Sequence, residues 1–118
     1  MATTPLLQVL QGYLKVTNDR QQLVTSNMAN VDTPGYHTKD IDFHSAMEQV
    51  MDLGEGPHLE PASMDVANLP ERPDGNNVNL DRESMALAET QMQFRIGVQL
   101  NRSEFHRLMT AINEGGKE

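Results

Sequence analysis

The chain contains no cysteine and no tryptophan, and its aromatic side chains are limited to Tyr13, Tyr36, Phe43, Phe94 and Phe105. Without cysteine there is no disulfide framework, no thiolate metal site and no sulfur nucleophile. So few bulky rings leave little to anchor a compact interior. Only 37% of the 118 residues are hydrophobic, which is low for a self-sufficient globular core, so most apolar surface must lie on helices. No uninterrupted apolar run reaches the length that crosses a bilayer. The start, Met1-Ala2-Thr3-Thr4-Pro5, lacks the basic stretch and apolar core of a secretory signal, so no cleaved signal is expected.

Basic residues are scarce, and the net charge of −8 is unevenly placed. Residues 1–31 carry +1, residues 32–79 hold ten acidic and two basic side chains, and residues 80–118 hold six acidic and five basic. An acidic middle between nearly neutral ends argues against a nucleic-acid partner, because phosphate neutralisation needs clustered Lys and Arg. The carboxylates of the middle read as solvation.

The two ends carry the clearest periodicity. After Pro5, which suits a first helical turn, a seam at Leu6, Leu10, Tyr13, Thr17, Arg20, Val24, Asn27 and Val31 follows heptad spacing. Its second half is too polar for a stand-alone coiled coil. The flanks are filled by Gln8, Gln11, Asn18, Gln21, Gln22, Thr25, Ser26 and Asn30 instead of the Glu and Lys of a solvent-facing helix. Uncharged amides suit a face buried against other chains, since they avoid the desolvation cost of unpaired charge, and equally suit an undistinguished polar face. At the other end Leu80, Ser84, Leu87, Gln91, Phe94, Val98, Asn101, Phe105, Leu108 and Ile112 alternate steps of four and three. Acidic residues lead that helix and arginines trail it, complementing its dipole.

Between them, Thr33 precedes Pro34 and is pushed out of the α region, so the first helix should stop near Val31 or Asp32. Proline and then glycine predict a type II turn at Thr33-Pro34-Gly35-Tyr36. A short extended segment around Ile41 and Phe43 follows, then a short helix through Ala46, Met47, Val50 and Met51 capped by Asp42. Four prolines and three glycines lie between Gly54 and Asn79, which predicts a flexible acidic linker. The expected divisions are a helix over 1–32, the turn, extended segment and short helix over 33–53, the linker over 54–79 and a heptad helix over 80–114. Together they predict a mainly α, elongated unit whose long terminal helices form a coiled-coil-like hairpin around an irregular middle.

Nothing in the sequence predicts an active site. His37, His44, His58 and His106 form no recognised ligand motif, and the four-residue spacing of His44 and Glu48 supplies one pair where a metal needs three or four converging ligands. Phosphate-cradling glycines, a nucleophile elbow and a nucleotide fingerprint are all absent. No cofactor is expected.

The stretch from Ser26 through Asn27, Asn30, Thr33, Pro34 and Gly35 to Tyr36 resembles the N-terminal signature of the flagellar axial family of rod and hook proteins. The continuation to Phe43, the short middle, and the ending from Gln91 to Ile112 are most similar to that family's proximal rod subunits. The resemblance implies a structural protein of the basal body and no enzyme. It further implies export through the flagellar type III apparatus without a cleaved signal, and assembly in the periplasm into homo- and hetero-oligomeric contacts. The implied partners are other rod subunits, the basal-body adaptor protein, the MS ring and the export gate. Ser26, Asn27, Asn30, Thr33, Pro34, Gly35, Tyr36 and Phe43 are the expected assembly motif. Leu6, Leu10, Tyr13, Val24, Leu87, Phe94, Val98, Phe105, Leu108 and Ile112 are the expected packing seam. Another axial subunit, or a soluble helical adaptor or chaperone, are the alternatives.

Overall fold

A computed structural model describes residues 5–53 and 62–115. In chain order the elements are α1 (Pro5–Ala29), β1 (Lys39–Ile41), α2 (Phe43–Leu53), β2 (Ser63–Asp65) and α3 (Leu80–Gly115). The protein is mainly helical and elongated, measuring 72 × 25 × 18 Å. α1 and α3 pack side by side, and the pairings of Asn27 with Glu83, Arg20 with Glu89 and Leu14 with Gly97 show that they run antiparallel. With 25 and 36 residues, they are roughly 37 and 54 Å long at 1.5 Å per residue. α3 therefore outruns the start of α1, and Phe105 to Arg107 and Met109 to Gly115 are exposed.

The seam along which α3 meets α1 is not the one that the large apolar residues trace. The buried residues of α3 are Glu83, Ala86, Thr90 and Gly97, and Gln93, Asn101, Glu104 and Leu108 continue the same face as half-buried positions. This stripe also steps by threes and fours, but it is built from small and polar side chains. Small residues let the helix axes approach: a Cβ added at Gly97 would lie 2.7 Å from Leu14 Cδ2. Phe94, Phe105 and Ile112, expected in the seam, are instead exposed, as is Leu6, while Leu87, Val98 and Leu108 are half-buried. Leu10 and Val24 are buried, and Tyr13 is half-buried.

Three polar atoms on this inner seam, Thr17 Oγ1, Gln93 Oε1 and Asn101 Oδ1, are buried without a hydrogen-bond partner. Thr17 is fully buried, so its hydroxyl carries a desolvation cost that the isosteric Thr17→Val removes. We expect that substitution to stabilise the isolated chain by about 1 kcal/mol in urea unfolding; an unchanged or lower midpoint would contradict it.

On the other side of α1 lies a small core of Val16, Ile41, Ala46 and Val50, with Leu23, Phe43 and Met47 packed on it. Tyr13 and Phe43 meet edge to face at 5.6 Å. Asp42 caps α2, accepting hydrogen bonds from the Ser45 amide and hydroxyl. Asn79 caps α3 by accepting from the amides of Asp81 and Arg82. α1 ends at Ala29, short of Val31. The Thr33–Tyr36 turn closes with the Tyr36 amide donating to the Thr33 carbonyl, and Gly35 takes the positive φ of 74°.

The stretch predicted as a linker is only partly outside the described residues. From residue 62 onward it supplies β2, which pairs antiparallel with β1 in the register Lys39↔Asp65, Asp40↔Met64 and Ile41↔Ser63. It also supplies Asn76, Asn77 and Val78, all buried. Pro73 and Gly75 build a turn there, closed by the Gly75 amide donating to the Arg72 carbonyl, that folds the segment back on the end of α1.

Candidate assembly site

Where α1 stops, its last carbonyls accept from the amides of Asn30 and Val31, and the carbonyls of the turn that follows find donors in the segment just before α3. Asn76 Nδ2 donates to the carbonyls of Asn30 (2.9 Å) and Thr33 (2.8 Å), and Arg72 donates to that of Val31. Two turns lie back to back here. Gly75, with φ of 82°, approaches Gly35, and the Gly35 amide donates to the Asp74 carbonyl. The Asn77 amide donates to the Tyr36 carbonyl, while Asn77 Oδ1 accepts from the buried Thr38 amide at 2.6 Å. Residues 72–78 thus form a strap that fixes the turn and strand after α1.

Asn27 sits at the centre of this joint, fully buried. Its amide nitrogen donates to the Lys39 carbonyl (2.8 Å) and to Glu83 Oε1 (2.6 Å). Its oxygen accepts from Tyr36 Oη (2.9 Å) and the Lys39 amide (3.1 Å). Two donors and two acceptors exhaust what an amide offers, so one side chain ties α1, the turn, β1 and α3 together. Glu83, also fully buried, accepts from Arg82 as well at 2.6 Å. Arg82 reaches Asp40 (2.9 Å), and Asp40 accepts from Arg20 (3.1 Å), which extends to Glu89 (2.6 Å). A charged chain therefore runs along the α1–α3 junction.

Asp40 titrates abnormally for a stated reason. Burial alone would raise its pKa, but hydrogen bonds from Arg20, the Ile41 amide and Arg82 more than offset that and hold it below the ordinary value of 3.8. A depressed folded-state pKa contributes stability that is complete above the unfolded value and is lost as pH falls through the folded one. We therefore expect stability to decline as pH drops below about 3.8, and Asp40→Asn, less stable at pH 7, to show a shallower acid slope. Parallel slopes for the two proteins in acid titrations of the unfolding midpoint would rule this out.

Two exposed shoulders of α3 are apolar. One shoulder carries Leu80, Phe94, Phe105, Met109 and Ile112, all exposed, with Leu87 and Val98 half-buried among them. The other shoulder carries Met85, Met92, Ile96 and Leu100, also exposed. Against the first shoulder an open groove of about 1060 Å³ runs between Asn18 and Gln21 of α1 and the stretch of α3 from Gln91 to His106. Its lining includes Phe94, Val98, Arg95 and Arg102.

The structure separates the expected motif into parts. Asn27 is internal, Tyr36 and Asn30 are half-buried against the joint, and Phe43 belongs to the α2 core. Ser26, Thr33, Pro34 and Gly35 have exposed side-chain positions. The strap residues Asn76 and Asn77 had no place in the sequence reading, Glu83 entered it only as one of the acids that lead α3, and Met85 and Met92, which it read as helix-core packing, are exposed. Pro73-Asp74-Gly75 was the available signal for the strap, being a turn signature next to two asparagines. Among the described residues no group of three His, Asp or Glu is placed to hold a metal, and no helix is long and apolar enough to cross a membrane. His44 pairs with Glu48 at 2.8 Å on the exposed surface, and His58 lies outside the described residues.

No protein-family model matches the chain. Individual proteins do. It is 30% identical to the flagellar basal body rod protein FlgB of Salmonella typhimurium, across 92% of this chain and 94% of that one. It is 28% identical to FlgB of Escherichia coli over the same shares. It is 27% identical to FlgB of Bacillus subtilis, across 94% of this chain and 95% of that one.

Proposed function

We propose, because this chain belongs to the FlgB family of flagellar basal body rod proteins, that it builds the proximal part of the rod by lateral packing of its terminal helices. It is a structural rod subunit and not an enzyme, and it assembles with other rod subunits. The observation that supports this working mode is the division of labour on α3. Its inner seam spends small and polar residues on α1, while its larger apolar residues stay on the two outer shoulders. A stable solitary helix hairpin would place the large residues inside, where burying a Leu or Phe side chain contributes roughly 1.5–3 kcal/mol. Here that contribution is reserved for neighbours.

In this reading the joint around Asn27 does not itself contact other copies. It holds the angle and register of α1 and α3, so that their outer faces present a fixed surface. Of the residues expected in the seam, Phe94, Val98, Phe105 and Ile112 act between subunits. The uncharged face with Asn18 and Gln21 borders the same surface. The finer placement follows the family: export through the type III apparatus without a cleaved signal, assembly in the periplasm, and contacts with the MS ring, the export gate and the basal-body adaptor protein.

Complementation of a strain deleted for this gene tests it. The wild-type gene should restore swimming and basal-body rods. Val98→Asp, which puts a carboxylate into the groove, should abolish both while leaving the circular dichroism and thermal midpoint of the purified chain nearly unchanged. Normal swimming by the Val98→Asp strain, or none with the wild type, would refute the proposal.

A further inference from the structure

The charge that lines the groove beside α3 is of one sign. Arg95 and Arg102 line it among uncharged polar side chains, and no acidic residue does. Both arginines are exposed, and neither takes part in the ion pairs formed among the described residues. Its apolar floor is Phe94 and Val98. Such a surface fits an amphipathic acidic helix that carries an apolar knob beside its carboxylates.

The same chain presents one. α2 contains Glu48 and Asp52 but no Lys or Arg, whereas α1 and α3 carry both signs. Counting 100° per residue, Glu48, Met51 and Asp52 share one face, opposite Ala46 and Val50, which are buried on the chain's own core. Met51 is 66% exposed. Glu48 is held by His44 alone, itself on the surface. An 11-residue helix is roughly 16 Å long, and the groove follows α3 from Gln91 to His106, a rise of roughly 22 Å. The lengths match.

We propose, resting on the rod reading above, that the groove receives α2 of a second copy, with Met51 against Phe94 and Val98 and with Glu48 and Asp52 toward Arg95 and Arg102. A chain cannot fill its own groove this way. α2 is held at Gly12 and Val16 of α1, and Val16 lies on the opposite side of that helix from Asn18, which borders the groove. Because the inserted helix and the receiving groove are different surfaces, the contact is head-to-tail. It leaves one free groove and one free α2 at the ends of every pair, so copies add without limit unless the rotation closes.

The absence of native cysteine makes a direct test clean. The full chain carrying Met51→Cys together with Val98→Cys should give a ladder of disulfide-linked oligomers on oxidation. A mixture of the two single variants should stop at a 1:1 dimer. Each single variant alone should stay monomeric. Arg95→Glu with Arg102→Glu in that double-cysteine chain should cut the yield at least tenfold, and adding Glu48→Lys with Asp52→Lys should restore it. Disulfides formed within either single variant as readily as between the two, or a yield indifferent to both charge reversals, would overturn the proposal. So would failure of the mixed pair to form. If the wild-type gene still restores swimming when the pair fails, the docking is wrong and the rod assignment stands.

Discussion

Glu83→Ala is expected to lower the unfolding free energy of the isolated chain by about 3 kcal/mol, the scale for removing one member of a buried, charge-bearing hydrogen-bond network. The carboxylate is fully buried and accepts from both Asn27 and Arg82. Its loss leaves one amide hydrogen of Asn27 without a partner, removes one of the two anions that neutralise Arg82, and opens a cavity at the root of α3. Glu83→Gln, which keeps the shape and an acceptor for Asn27, should cost about half as much. Asn27→Asp tests the same joint from the other side. It sets a second carboxylate beside Glu83 and turns the donor into an acceptor, so it should match or exceed Glu83→Ala. Urea titrations read all three. A Glu83→Ala midpoint within about 0.5 kcal/mol of wild type, the range of an ordinary surface substitution, would show that the joint does not hold the hairpin. Because the joint sets the register of the outer faces, the destabilised variants should also lose swimming, though by a different route from Val98→Asp, which leaves the fold intact.

What could be read from the sequence was whatever carries its own local signal. Long helices announce themselves by period, Thr33-Pro34-Gly35-Tyr36 by the dihedral demands of proline and glycine, and the α2 start by Asp42. Elements that exist only through distant partners were illegible. Asn76 and Asn77 look like loop residues until residues 30–38 are placed against them. Glu83 looks like an ordinary first-turn acid until Asn27 arrives. The α3 seam misled for a further reason. Apolar periodicity finds the stripe that most needs covering, not the helix that covers it, and in this protein the two differ. Ala86, Thr90 and Gly97 make the internal contact because small side chains bring two helices close, while Phe94 and Phe105 mark surface left open. The sequence therefore revealed the helices and their exposed apolar stripe more readily than the small and polar side chains that join α3 to α1.

The closest helix approach gives the second large effect. A Cβ at Gly12 would lie 2.4 and 2.9 Å from Cγ1 and Cγ2 of Val50, and valine, branched at Cβ, has no easy rotation to escape. Gly12→Ala should gain about 1 kcal/mol in helix propensity and lose about 3 kcal/mol to overpacking, a net destabilisation of about 2 kcal/mol. Gly97→Ala makes the contrast. Its added methyl meets the end of Leu14, a flexible side chain, at 2.7 Å and the Tyr13 ring at 3.0 Å, so relief is cheaper and the propensity gain should leave it near neutral. The mechanism is separable by a double-mutant cycle. Val50→Ala removes the clashing methyls, so Gly12→Ala made in that background should be harmless or stabilising, giving a coupling of about 2 kcal/mol between the two sites. Additive losses would mean that Gly12 is needed for some other reason than the seat of α2 on α1. Since α2 is held to α1 through Val50 and its neighbours in the small core, loosening that seat should also free the acidic helix from its presented position. Gly12→Ala should then weaken the cross-link between copies, and an undiminished cross-link yield in that variant would contradict this.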